Sequence, residues 1–268
     1  MPQTINTNLA SLNAQRNLSM SQSSLSTSMQ RLSSGLRVNS SKDDAAGLAI
    51  AERMQTQIRG ITVAIRNAND GISLAQTAEG ALATITDALQ RMRELSVQAQ
   101  NGSNGTGDRA NLDTEYQALS AEITRIAAQT KFNGTAIVGA SAGAQVFQVG
   151  ANGGDTLTIT TSTVTTVGGG LTTAALASTA LGAIDTALDT ITTSRASYGA
   201  AISRFGMAIQ NLQITGENQS AARGRIMDAD FAEETANLSR SQILQQAGTA
   251  MVAQANQLPQ QVLRLLQG

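Results

Sequence analysis

The sequence predicts a mainly α-helical fold: a long antiparallel helical hairpin or coiled-coil bundle formed by both termini, with a small β-hairpin in the middle. Three observations predict it. Apolar residues recur at alternating steps of three and four over both ends of the chain. The pattern lapses between residues 131 and 180, where Gly, Thr and Ser dominate and charge nearly vanishes. Aromatics are scarce, with Tyr 2, Phe 4 and Trp 0 in 268 residues. The apolar side chains are therefore Ala, Leu, Ile, Val and Met, which suit thin helical seams better than a thick core. One chain with a seam at each end invites those ends to pair with each other.

Taken in order, Ile5, Leu9 and Leu12 share one helical face. After a phase slip come Leu18, Leu25, Met29, Leu32 and Leu36. Gly35 and the stretch RVNSSKDD interrupt the pattern, and Ser40 or Ser41 is expected to cap the next helix, with Asp43 and Asp44 in its first turn. A long second helix is expected from about residue 45 to 100. Met54, Ile61, Ala68, Ala75, Leu82 and Leu89 fall at steps of seven, with Ile58, Ile65 and Ile72 as the neighbouring row. Residues 101–107 (NGSNGTG) read as a turn. A third helix carries Leu112, Tyr116, Leu119, Ile123 and Ile126 and ends near Thr130.

The middle reads differently. Two short runs, QVFQV at 145–149 and TLTITT at 156–161, flank GANGGD and predict a β-hairpin at about 145–161. Low-complexity sequence follows through Gly168, Gly169 and Gly170, and its composition predicts a flexible linker. Helical spacing resumes with Ile184, Leu188, Ile191, Tyr198, Ile202, Phe205, Ile209 and Leu212. The last arm carries Phe231, Leu238, Leu244, Met251, Leu258 and Leu265, with Ala255 and Val262 between them. Pro259 is expected to kink or restart that helix. The terminal arms, about 1–36 and 228–268, are rich in Gln, Asn, Ser and Ala. An isolated seam of that kind buries little, so the arms are expected to order when neighbouring copies supply more surface.

Composition excludes much chemistry. The chain has no Cys and no His, which removes disulfides, thiolate and imidazole catalysis and the usual metal sites. Carboxylate or lysine chemistry stays open on composition alone, but no motif supports it, so no catalytic residue, metal ligand or cofactor is assigned. Lys42, Asp43 and Asp44 offer two acids without further ligands, and capping or an ion pair suits them better than a metal. Gly168–Gly170 lacks the GxxxxGK[ST] context of a phosphate loop. A net charge of −1 gives no reason to expect a nucleic-acid partner. No run approaches the ~20 apolar residues of a membrane span. The start of the chain lacks a charged segment followed by an apolar one, so export is expected by a route without a cleaved leader.

Long stretches resemble a known family. INTNLASLNAQRNL, LSSGLRVNSSKDDAAGLAIAERMQTQIRG, QRMRELSVQAQNG, TKFNGT and RIMDADFAEETANLSRSQILQQAGTAMVAQANQLPQQVLRLL are very similar to bacterial flagellins, over about residues 1–135 and 181–266. The sequence departs from the family's usual pattern at Glu217-Asn218-Gln219, at Gly224-Arg225-Ile226 and around Ser203-Arg204-Phe205.

The resemblance implies a subunit that self-assembles into the extracellular flagellar filament for swimming motility. It implies that 1–41 and 228–268 form an inner coiled-coil layer. Residues 42–180, with the hairpin and the Thr/Gly segment, and 181–227 would form the rod layer around it. Large outer domains have no counterpart here. The polymerisation seam of the inner layer then falls on Leu9, Leu12, Leu25, Leu32, Leu244, Met251, Leu258, Val262 and Leu265. The implied partners are further copies of the chain, a flagellin export chaperone, the filament cap, the hook–filament junction proteins and the flagellar type III export apparatus. The vertebrate Toll-like receptor for flagellin completes them. Gln90, Arg91, Glu94, Leu95 and Glu115 match the family's surface for subunit contact and receptor binding. Periodicity alone reads them as a solvated helix face with i,i+4 pairs, though Leu95 lies outside the main seam and is expected to be exposed. The alternatives are a hook–filament junction protein, which is less similar over the C-terminal block, and a secreted coiled-coil adhesin, which needs a head domain. The Ser/Thr cluster at 156–166 suits either O-glycosylation or a plain soluble loop.

Overall fold

The computed structural model describes residues 7–139, 142–161, 163–164 and 167–267, with 258–267 described by backbone alone. The described elements are α1 (Leu9–Ser34), α2 (Ala45–Ala99), α3 (Thr106–Gln129), β1 (Lys131–Phe132), β2 (Thr135–Ala136), β3 (Gln145–Gln148), β4 (Thr156–Ile159), α4 (Ala174–Met227) and α5 (Phe231–Gln267). They form two compact units, one of Met1–Thr56 with Asn218–Gly268, the other Gln57–Glu217.

The helix ends show why the elements start and stop where they do. Asn8 Oδ1 accepts from the Ser11 N–H at 3.1 Å and caps α1. Gly35, at φ 71°, ends it, and its N–H reaches Arg31 O at 2.8 Å. The expected cap of α2 moves by several residues. Asp44 is the cap, its Oδ1 accepting from the Gly47 N–H at 2.7 Å. Asp43 instead folds the preceding loop, with Oδ2 accepting from the backbone N–H groups of Asn39 and Ser40 and from Ser40 Oγ. Carboxylates outcompete hydroxyls for these donors because the hydrogen bonds are charge-assisted. At the other end of α2, Arg109 Nε donates to Ala99 O at 2.8 Å and Asn104 Nδ2 to Gln98 O at 2.6 Å, satisfying carbonyls the helix leaves open. Pro259 does not restart the last helix, whose backbone continues to Gln267.

In the unit Gln57–Glu217, α2 buries Leu74, Leu95 and a row of twelve, and that row is Ile61, Ala64, Ala68, Gly71, Ala75, Ala78, Leu82, Ile85, Leu89, Met92, Ser96 and Ala99. Their spacing alternates between three and four, the signature of a coiled-coil seam. The first expected row is therefore present, but its companion row is 64, 71, 78, 85, 92 and 99. Ile58, Ile65 and Ile72 are only half-buried beside it. From α3 come Tyr116 and Ile123, and from α4 come Ala177, Ala180, Ile184, Ile191, Tyr198 and Phe205, all in one core with that stripe from Ala68 onward.

β3 and β4 pair antiparallel in register Gln145↔Ile159 to Gln148↔Thr156, within the predicted hairpin. Phe147 stands edge-on to Phe205, ring centroids 5.6 Å apart, and fastens the hairpin to α4. A second, smaller hairpin, β1 with β2, turns at Asn133 and Gly134, both at positive φ, as Asn-Gly favours. The Gly/Thr segment sends Val164, Val167 and Leu171 into the same core. Leu171 N–H donates to Asp113 Oδ1 at 2.6 Å, and Ser120 Oγ to Val167 O at 3.1 Å.

In the other unit, α1 and α5 pair antiparallel, since Asn8 Nδ2 donates to Ala255 O at 2.7 Å while Arg31 meets Glu234. The turn residues close beside them. Arg37 N–H donates to Met227 O at 2.7 Å and Ala229 N–H to Gly35 O at 3.0 Å. A small core of Val38, Ala51 and Met227 lies there.

Candidate functional site

Gln90, Arg91 and Glu94 come from α2 and Glu115 from α3, and the structure brings them together on an exposed face. Arg91 Nε donates to Glu115 Oε1 at 2.9 Å and Arg91 Nη1 to Glu94 Oε2 at 2.9 Å. The two carboxylates raise the Arg91 pKa above its ordinary value, the Glu115 hydrogen bond being the larger cause. The guanidinium is held between carboxylates of the two helices while half of its side-chain surface stays in solvent. Such exposed pairs stabilise the fold little; they set the orientation of a charged, fork-shaped donor.

Leu95 is placed differently from expectation. It is 1% exposed and belongs to the core with Tyr116 and Ile123. It lies one turn beyond Arg91, and the core of this unit covers it. Leu95 supports the stripe from beneath and cannot touch a partner in this conformation. The exposed apolar residue of this region is Val97, bordering a shallow depression with Gln90, Arg93 and Glu94. Arg93 Nε donates to Asp185 Oδ1 of α4 at 2.7 Å, an inter-helix pair that sequence spacing did not single out.

The α1–α5 pair carries the other predicted residues. Its seam runs through Ser11, Ala14, Leu18, Ser21, Leu25, Ser28 and Leu32 of α1, again at alternating three and four, with Ser11 and Ser28 fully buried. Among the described side chains of α5, Glu234, Ser241 and Ala255 are buried. Leu25 and Leu32 are thus half-buried within the pair. Leu9, Leu12, Leu244 and Met251 are exposed, Leu9 by 71% and Met251 by 63%. The two ends do pair, as expected, with Leu18, Leu25 and Leu32 within the pair and Leu9, Leu12, Leu244 and Met251 outside it. Small and polar residues let the helices approach closely, as where a Cβ on Gly248 would sit 3.1 Å from Leu18 Cδ1. Leu258, Val262 and Leu265 lie outside the described side chains.

One feature of the seam escaped the sequence reading. Arg31 Nη1 meets Glu234 Oε1 at 2.9 Å, with the Glu234 side chain only 8% exposed. Opposite charges on the two arms were the available signal, but the register that pairs them needs the fold. In the hairpin region, Thr161 is buried and donates to Gly143 O at 2.8 Å, while Thr156, Thr158, Thr160 and Thr163 are exposed.

Among the described residues no group of three or more acidic side chains is placed to hold a metal ion. Among the same residues no helix is long and apolar enough to cross a membrane.

Comparison with known proteins gives a consistent result. The family described as "Bacterial flagellin N-terminal helical region" matches residues 5–142, and "Bacterial flagellin C-terminal helical region" matches residues 181–266. A flagellin of Halalkalibacterium halodurans is 44% identical over 269 residues, which is 98% of this chain and 99% of that protein. A flagellin of Xenorhabdus nematophila is 41% identical over 312 residues, covering 99% of this chain and all of the other. The crystal structure of Bacillus cereus flagellin is similar with a TM-score of 0.52 and 34% identity, over 59% of this chain and 94% of that one.

Proposed function

The chain belongs to the bacterial flagellins, and from that premise we propose which of its surfaces make it a filament subunit. As a flagellin it is a structural protein of the extracellular flagellar filament, a homopolymer, and not an enzyme. Residues 1–41 and 228–268 make the inner layer of that polymer, and 42–227 make the rod layer. The observation that carries this reading is the composition of the α1–α5 pair. Buried Ser and Ala, half-buried Leu18, Leu25 and Leu32, two side-chain hydrogen bonds and the Arg31–Glu234 ion pair hold the two helices together, while Leu9, Leu12, Leu244 and Met251 stay exposed. A monomer gains little from apolar residues so placed; a second copy covering them gains the burial that the pair lacks.

The stripe Gln90, Arg91, Glu94 and Glu115 is the rod-layer contact to the next subunit and the surface read by the Toll-like receptor for flagellin, with Leu95 packing beneath it. What supports this is the rigid presentation of Arg91 by two carboxylates on two helices, since preorganised arginines are frequent interface anchors. The filament then hides what the free subunit shows. The export chaperone takes the C-terminal arm, the type III export apparatus takes the N-terminal one, and the cap and junction proteins meet the ends of the polymer.

Replacing Arg91 tests the stripe. Arg91→Ala is expected to cut reporter-cell activation by the free subunit by about tenfold or more and to lower the melting temperature of the filament. If both stay at the parent values, the stripe is a solvated helix face and nothing more.

A further inference from the structure

A shallow groove runs along one flank of the α1–α5 pair. It consists of two adjoining depressions that share Asn17, Ser21 and Leu244, one of them lined by Leu18 where it packs on Gly248. Met20 borders it beside Leu244 in one direction, and Met251 borders it beside Leu244 in the other. Their exposures are 55% and 63%. These two thioethers lie on a surface that, in the reading above, a second copy of the chain covers, and the inference rests on that reading.

The composition gives those thioethers a particular chemical standing. The chain has no Cys, Trp or His, and Tyr116 and Tyr198 are buried. Exposed methionine sulfur is then the side-chain group most open to a mild two-electron oxidant. Met92 and Met227 are buried and shielded; Met29 and Met207 are exposed but do not border the groove.

We propose that Met20 and Met251 are a peroxide-modification site that controls whether a free subunit can join the filament. Hydrogen peroxide transfers one oxygen atom to each sulfur: the O–O bond breaks, an S–O bond forms, the thioether is oxidised to the sulfoxide and the peroxide is reduced to water. The product is polar and hydrogen-bonding where a flexible apolar chain stood. Covering the groove then buries two sulfoxide oxygens without assured partners, and assembly is disfavoured. A subunit already in the polymer has the same sulfurs covered and escapes.

The test uses full-length subunit treated with hydrogen peroxide, peptide mapping by mass spectrometry, and seeded polymerisation followed by light scattering. Sulfoxide at both positions should slow elongation by about tenfold or more. Methionine sulfoxide reductases should restore it. Met20→Leu with Met251→Leu should elongate at a similar rate before and after treatment, Leu being close to Met in volume; if the double variant does not assemble untreated, each single variant is compared with itself in the same way. Met20 and Met251 should also oxidise about tenfold more slowly in filament than in free subunit. The proposal is overturned if the parent with both sulfoxides elongates at the untreated rate, if leucine variants lose as much as the parent, or if filament and free subunit oxidise equally fast. Leu244→Asp, untreated, separates the two readings. Normal filaments from it sink the groove as a contact between copies; blocked assembly together with unimpaired oxidised parent sinks the oxidation site alone.

Discussion

Gly71 sits where α2 meets α4, and a Cβ built there would lie 2.8 Å from Phe205 Cζ, closer than two carbons pack. Gly80, on the same helix, has nothing within 4 Å of such an atom. The same substitution should therefore act in opposite directions. Gly80→Ala is expected to stabilise by roughly 0.5–1 kcal/mol, through helix propensity alone. Gly71→Ala is expected to destabilise by about 1–3 kcal/mol, because Phe205 must move and takes its contact with Phe147 along. Thermal unfolding of both variants checks the pair. These small residues explain what the sequence left illegible. Four of the six companion-row residues of the α2 seam, Ala64, Gly71, Ala78 and Ala99, are small and hardly register as apolar, so the larger Ile58, Ile65 and Ile72 stand out as the second row. Leu95 does lie off that seam, but the core reaches it and buries it all the same. Asp43 offers a further residue-scale test. Backbone and hydroxyl hydrogen bonds from Ser40, then the Asn39 N–H, hold its carboxyl below the usual value. A depressed folded pKa contributes stability that is present above the ordinary carboxylate pKa and disappears as pH falls through the depressed one. The Asp43 titration followed by NMR should have its midpoint below that of an unstructured Asp, and the loop at 39–43 should loosen only in acid.

At the scale of elements, the α1–α5 pair depends on few strong contacts. Ser11 Oγ donates to Asn256 Oδ1 at 2.7 Å at one end, and Arg31 meets Glu234 at the other. Removing the buried partner leaves Arg31 facing a gap, and Arg31 Nε already has no hydrogen-bond partner among the described residues. Breaking a fully buried pair costs about 3–5 kcal/mol. Arg31 is 30% exposed, so roughly 1–3 kcal/mol is the expectation for Glu234→Ala once solvent screening is allowed for. Helicity lost from the terminal arms by circular dichroism, with the hairpin and α2–α4 contacts intact by NMR, is the expected result. The phase slip after Leu12 was legible in the sequence, and its physical meaning is now plain. Leu18, Leu25 and Leu32 face α5, whereas Leu9 and Leu12 belong to the outside of the pair. The hairpin of β3 and β4 was legible from GANGGD between two β-rich runs. The smaller one at Asn133-Gly134 was not, because two-residue strands carry no alternation to read.

Across the whole chain the two units differ in what they bury. The unit Gln57–Glu217 closes around Leu82, Ile85, Leu89, Tyr116, Tyr198 and Phe205, whereas the terminal unit has the small cluster of Val38, Ala51 and Met227 and a seam of mostly Ser and Ala. Local opening free energy follows buried apolar contact, so the terminal helices should open far more often than α2. Hydrogen exchange on the free subunit is expected to reach residues 9–34 and 231–257 at least about a hundredfold faster than residues 61–99, which corresponds to a difference near 3 kcal/mol. In assembled filament the same terminal amides should be protected to the level of the core, because neighbouring copies would then cover Leu9, Leu12, Leu244 and Met251. Terminal amides as protected in the free subunit as residues 61–99 would mean that the polar seam suffices alone, and the exposed leucines would need another explanation.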